Sequence, residues 1–134
     1  MENKPLMYFG HPINFYNTKK EKKLIIAIQE KFPEYYIENP NQLIHKDNYI
    51  KWKERTGNGM NYYFKIVLPK MEGGTFLCFE DGMFGAGVFG EAEFLKDSGK
   101  LIYEINLEEK IKEMILDSSR TLSIKETKKR VYSF

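Results

Sequence analysis

The sequence predicts an α/β fold: an open, doubly wound, mainly parallel five-stranded sheet in a single domain covering residues 1–134. Three observations predict it. Short apolar runs bounded by Gly, Pro and Asn alternate with segments whose apolar residues recur at helical spacing. No two runs are joined by a tight hairpin signal, so successive strands need helical crossovers and lie parallel. The most apolar run, Gly74-Thr75-Phe76-Leu77-Cys78-Phe79, passes through Glu80-Asp81-Gly82 into a glycine-rich loop and then a helix. In open α/β sheets ligands sit beyond the carboxyl ends of strands, where such a loop lies.

Pro5-Leu6-Met7-Tyr8-Phe9 is the first strand, ended by Gly10-His11-Pro12, which a helix does not cross easily. Asn17 or Thr18 caps the next helix; Leu24, Ile25, Ile28 and Phe32 fit its 3.6-residue period and Pro33 stops it. Tyr35-Tyr36-Ile37 is the second strand, closed by Glu38-Asn39-Pro40-Asn41, and completes a βαβ unit. Helix resumes from Asp47 through Tyr49, Ile50, Trp52 and Lys53, breaks at Thr56-Gly57-Asn58-Gly59, and continues over residues 60–71 with Tyr63, Phe64, Val67 and Leu68 on one side.

The central strand follows, then a helix over residues 88–97 that Ser98-Gly99 terminates. Leu101-Ile102-Tyr103-Glu104-Ile105 is the fourth strand. Residues 107–116 are expected to form an amphipathic helix, with Leu107, Ile111 and Ile115 at spacings of four. Thr121-Leu122 is a short fifth strand, and Ser123-Ile124-Lys125-Glu126 is a capping box that opens a helix over the last ten residues. The order βαβ(αα)βαβαβα is that of a flavodoxin-like three-layer sandwich.

Composition narrows the function classes. A net charge of +2 makes no case for nucleic acid as a partner. Cys78 is the one cysteine, which rules out an internal disulfide and reads as a buried, inert thiol in mid-strand. With only His11 and His45 beside it, a His/Cys metal site is not expected, and no cofactor is implied. Nothing resembles a signal peptide or an apolar span of about 20 residues. A cytoplasmic protein without a membrane partner is therefore expected.

The candidate site lies in the glycine loop. Gly85, Gly87 and Gly90 are spaced so that backbone can approach a ligand where a Cβ would interfere. Glu91 follows at what reads as a helix start, where the macrodipole stabilises a carboxylate by about 0.3–1 kcal/mol. Glu93 lies about 200° further round a helix, so the two acids do not share one pocket. A plain strand-to-helix loop with solvated acids is the competing reading.

These residues resemble the nucleoside 2-deoxyribosyltransferase-like family, which includes deoxynucleotide N-glycosidases. Met7-Tyr8-Phe9-Gly10-His11-Pro12-Ile13 is similar to its first strand and ribose-side loop, Asp81-Gly82 to the acid and glycine ending its third strand, and Gly87-Val88-Phe89-Gly90-Glu91 to its Gly-x-x-x-Glu element. Gly99-Lys100-Leu101-Ile102-Tyr103 is again like the family, so the resemblance covers residues 6–105. It implies cleavage or transfer at the N-glycosidic bond of a nucleoside or nucleoside 5′-monophosphate. It also implies a homodimer or higher homo-oligomer.

By resemblance Glu91 is the nucleophile that forms a glycosyl-enzyme ester. Asp81 holds the base or passes it a proton, or is simply an Asp-Gly turn residue. Tyr8 hydrogen-bonds the nucleophile, or is a core tyrosine. Gly10, His11, Pro12 and Asn14 form the sugar side, and Gly85 and Gly87 complete the substrate loop. Tyr49 and Trp52 can stack a base, though helical spacing suits core or interface equally. Lys19 and Lys20, at a helix start, are candidates for a phosphate contact. Lys125, Lys128, Lys129 and Arg130 read as a solvated face of the last helix.

The sequence departs from the family pattern at Ala92 and Glu93, where an apolar residue and glycine are usual, and at Gly85, where nucleotide hydrolases carry a phosphate-binding serine. The loop between Asp81 and Glu91 is about a residue shorter and lacks a second aspartate. These departures favour the alternative of a non-catalytic nucleotide-binding module; Gly87 and Glu91 favour the enzyme.

Overall fold

In the computed structural model, which describes residues 4–132, strand β1 (Leu6–Gly10) leads through a 3-10 turn at Ile13–Phe15 into helix α1 (Lys19–Lys31). Strand β2 (Tyr36–Glu38) then runs parallel to β1, with Leu6 opposite Tyr36 and Tyr8 opposite Glu38. Helix α2 (Leu43–Thr56) ends at Gly57, whose φ of 77° supplies the left-handed turn that closes it. A further helical stretch follows: α3 (Met60–Tyr62), a π turn at Tyr63–Val67 and a 3-10 turn at Leu68–Lys70. Strand β3 (Gly73–Leu77) joins β1 on its other side, and α4 (Ala86–Asp97) connects it to β4 (Leu101–Ile105). Strand β5 (Ile111–Glu113) and helix α5 (Ile124–Val131) complete the chain.

The five strands form one mixed sheet in the order β2-β1-β3-β4-β5, parallel except for β5. Alternate residues of the central strands serve two cores. Met7, Phe9 and Leu77 pack with Leu24 and Ile28 of α1. Tyr8, Phe76 and Cys78 pack with Val88, Ala92 and Leu95 of α4 and with Val67, Leu68 and Met71. Both faces of the sheet are therefore covered, and each fully buried large apolar side chain contributes about 1.5–3 kcal/mol. Phe76 requires two glycines: a Cβ on Gly10 would lie 2.4 Å from its ring, and one on Gly74 2.6 Å.

Several expectations need correction. Residues 107–116 are not a helix. Asn106 ends β4 by accepting the backbone N–H groups of Glu108 and Lys110 on its side-chain oxygen, and Glu109 takes a φ of 66°. The chain reverses and Ile111–Glu113 pairs antiparallel with β4, burying Met114. A tight asparagine turn thus overrides the apolar spacing of four. This makes β5 the fifth strand of the sheet, whereas Thr121 forms only an isolated parallel bridge to Phe84.

Helix boundaries also move. α2 begins at Leu43, four residues before Asp47, and α4 begins at Ala86 rather than at residue 88. Thr18, not Asn17, caps α1, accepting the Glu21 N–H at 3.1 Å. Ser123 caps α5 as its motif predicts, accepting the Glu126 N–H at 3.1 Å.

Candidate functional site

A cavity of about 910 Å³ opens beyond the carboxyl end of β1 and beside the first turn of α4. Strand order reverses at this point, because β1 has β2 on one side and β3 on the other. The volume suits a small organic ligand. Its walls come from β1 and the segment after it with Tyr8, His11, Pro12 and Tyr16, the segment after β2 with Asn41 and Gln42, Tyr49 and Tyr63 from the helical region, the first half of α4 with Ala86, Gly87 and Glu91, and α5 with Thr127 and Val131.

At the cavity wall lies Glu91, only 6% exposed. The Tyr8 hydroxyl donates to Glu91 Oε2 at 2.5 Å, and Tyr8 itself is buried. Two forces act on the carboxyl. Burial disfavours its charged form and raises its pKa from 4.5 to about 8, while the Tyr8 hydrogen bond acts in the opposite direction. Burial, followed by the charge of Glu91, pushes the Tyr8 phenol well above its ordinary range. The Tyr16 and Tyr63 phenols are also raised, chiefly by burial, and Glu91 contributes to both. Burial thus favours the protonated form of this carboxyl, and positive charge placed beside it would favour the carboxylate.

The expected helix start at Glu91 is corrected here. Gly85 is the N-cap of α4, so Glu91 is the sixth residue of the helix, beyond the first turn where the macrodipole acts. Glycines 87 and 90 lie inside the helix, not in a loop before it. Glu93 is exposed, so the two acids do point apart.

Of the other candidates, His11, Pro12, Gly85 and Gly87 line the cavity with Tyr8 and Glu91. Apart from its own stretch of helix, a Cβ on Gly87 would meet no protein atom within 4 Å, so packing does not require glycine there. Gly10 is not a lining residue. It makes room for Phe76, and a Cβ there would come 3.4 Å from Glu91 Oε1.

Asp81 is separated from the site. It is exposed and pairs with Arg130 of α5 through two hydrogen bonds of 2.9 and 2.7 Å, which with the Met83 N–H hold its pKa down to about 2. Gly82 follows it at a φ of 81°, so the pair is the Asp-Gly turn of its plainer reading. Asn14 is likewise exposed and does not line the cavity. Lys19 and Lys20 do not line it either; Lys20 donates to the Leu107 carbonyl at 2.7 Å. Tyr49 faces the cavity, whereas Trp52 packs against the core.

Sequence reasoning missed Tyr16, Tyr63, Asn17, Asn41, Lys46 and the cavity face of α5, which includes Ile124, Thr127 and Lys128. α5 has no buried residue and is held by polar contacts. Thr127 Oγ1 accepts the Ala86 N–H at 2.9 Å, and Arg130 lies over the Phe79 ring at 5.1 Å. Thr18-Lys19-Lys20-Glu21 fits the capping-box spacing, a signal that points to Glu21 and through it to Asn17. Cys78 is buried and its thiol is pushed up by desolvation, which disfavours the thiolate that a nucleophile needs.

Among the described residues no group of three or more His, Cys, Asp or Glu side chains is placed to hold a metal ion, and no helix is long and apolar enough to cross a membrane. No family model, curated protein or solved structure matches the chain.

Proposed function

We propose that the cavity binds a nucleoside or nucleoside 5′-monophosphate and that Glu91 cleaves or transfers its N-glycosidic bond. One observation carries the reading. A buried carboxyl lines a cavity of ligand size, and its one hydrogen-bonding partner among the described residues is the Tyr8 hydroxyl. The strand order 2-1-3-4-5 fits a flavodoxin-like three-layer sandwich, whose ligands bind at the β1/β3 switch point where this cavity lies.

In the proposed reaction a Glu91 oxygen attacks the anomeric carbon as the carbon–nitrogen bond breaks. The bonding electron pair leaves with the base, which takes up through solvent the proton that Glu91 gives up on attacking. Water, or a second base, then attacks the anomeric carbon of the ester and frees Glu91. Tyr8 fixes the attacking carboxylate in one orientation. The positive charge building on the sugar ring favours the ionised form that burial alone disfavours. Tyr49 and Tyr63 offer faces for a base. A homo-oligomer belongs to the same reading.

The alternative, a nucleotide-binding module without turnover, is favoured by a specific pair of facts. Burial pushes the Glu91 pKa up to about 8, which disfavours the carboxylate nucleophile, and Asp81 is tied to Arg130 and cannot protonate a departing base. Product analysis on a panel of nucleosides and monophosphates, with and without an acceptor base, decides between them. The enzyme releases base, and Glu91→Gln abolishes release while leaving the fold intact. A 2-fluorinated deoxynucleoside should leave its sugar on Glu91, because fluorine slows breakdown of the ester. An adduct on Glu93, or no base release by the wild type, rejects the reading.

A further inference from the structure

Glu21 gathers three separate segments of chain at one wall of the cavity. It is the third residue of α1 and almost fully buried, at 5% exposure. Its Oε2 accepts from His11 Nε2 at 2.7 Å, while His11 Nδ1 lies 3.0 Å from the Phe9 carbonyl. Its Oε1 accepts the Asn17 backbone N–H at 3.2 Å, and Asn41 Nδ2 reaches both carboxylate oxygens at 3.1 and 3.2 Å. Asn41 Nδ2 also donates to Asn17 Oδ1 at 3.1 Å. A capping-box glutamate ordinarily turns back to the N–H of the cap residue itself; here it takes the N–H one residue earlier. Asn17 holds a φ of 64°, the left-handed region that non-glycine residues seldom occupy.

The network leaves a complementary pair free. Among the described residues Asn17 Nδ2 and Asn41 Oδ1 make no hydrogen bond to protein, and both residues line the cavity. One is a donor and the other an acceptor, a combination that a hydroxyl group satisfies because it both donates and accepts. The same cavity is lined by Tyr49, Tyr63 and Met60. The lining thus holds groups that suit a hydroxyl and groups that suit a flat or apolar part of a ligand.

We propose that Glu21 is a positioning residue that holds Asn17 and Asn41 to bind the hydroxyl-bearing, sugar part of the ligand. This rests on the reading of the cavity as a nucleoside site, and assigns parts of the ligand to its walls. Glutamine at position 21 keeps all of the Glu21 side-chain contacts but the 3.2 Å one from Asn41 Nδ2 to Oε2. Its oxygen accepts from Asn17 and Asn41, and its amide donates to His11 Nε2 while Nδ1–H of the imidazole donates to Phe9. Alanine keeps none of them.

The test is calorimetric titration of the four common 2′-deoxynucleosides and their free bases into full-length protein, in a Glu91→Gln background that blocks turnover. Glu21→Ala and Asn41→Ala should each weaken deoxynucleoside binding roughly tenfold, as expected for one or two lost hydrogen bonds, with free-base binding unchanged. Glu21→Gln should stay close to the parent. Asn41 lies outside every helix and strand, so Asn41→Ala carries the test even if Glu21→Ala does not fold. Equal weakening of nucleoside and base, or unchanged nucleoside affinity in Asn41→Ala, overturns the proposal. Base release that survives Glu91→Gln removes the catalytic reading alone, and the binding split still judges the wall. Failure of every nucleoside and base to bind overturns both.

Discussion

The Tyr8 hydroxyl donates to Glu91 across a separation of 83 residues, joining the centre of β1 to the second turn of α4. Both groups are buried, so neither can exchange this partner for water without rearrangement. Tyr8→Phe keeps the ring and removes only the donor. A buried acceptor left without its partner costs about 1–3 kcal/mol. The variant should fold, lose roughly 10- to 100-fold in turnover with little change in KM, and show an activity profile displaced to higher pH. A pH–rate profile of both proteins checks this.

Glu91 also makes stability depend on pH. Its pKa rises from 4.5 to about 8 on folding. Between those values the native state holds a proton that the unfolded chain has released, so stability falls as pH rises, by up to about 1.4 kcal/mol per pH unit. Below 4.5 both states are protonated, and above 8 both are ionised, so the slope vanishes at either end. Urea denaturation between pH 5 and 9 should show this decline in the wild type and a flatter curve in Glu91→Gln.

Gly87 separates folding from binding. It is helical, and a Cβ there meets no protein atom apart from its own stretch of helix. Gly87→Ala should stabilise the fold by up to about 1 kcal/mol through helix propensity. It should also weaken ligand binding, because the methyl group enters the cavity. Thermal melting and titration on the same sample measure the two effects.

Phosphate preference should follow the lysines that line the cavity. These are Lys46 and Lys128, not Lys19 or Lys20. Replacing both Lys46 and Lys128 with alanine should raise KM for a monophosphate several-fold and leave the nucleoside unaffected, whereas Lys19→Ala should change neither. Steady-state kinetics on matched nucleoside and monophosphate pairs check this, and adding salt should shrink the difference.

Asp81 should prove to be a tether rather than a catalyst. Its two hydrogen bonds to Arg130 fasten α5, which buries no side chain of its own. Asp81→Asn should therefore leave base release within about twofold of the wild type. Amide hydrogen exchange should quicken over residues 124–131, with β1 and β3 unchanged.

Local signals in the sequence were enough for the parallel strands, for the start of α5, for the end of α4 and for the burial of Cys78. Each follows from neighbours in the chain: an apolar run, a capping serine at position 123, a glycine after a helix. Three matters depended on contacts between distant residues. Residues 111–113 became an edge strand because the Asn106 turn folded them onto β4, a pairing that the helical spacing of Leu107, Ile111 and Ile115 did not show. Asp81 was drawn away from the cavity by Arg130, 49 residues later, an ion pair visible only once α5 had docked. Glu91 was legible as a candidate that the structure puts at the cavity wall, but the upward push on its pKa was not. That pKa is set by burial, which excludes water from the carboxyl, and by the Tyr8 hydroxyl, and both exist only when β1 and α4 lie side by side. Spacing along the chain specifies which groups face one way on an element; desolvation and pairing between elements are properties of the assembled fold.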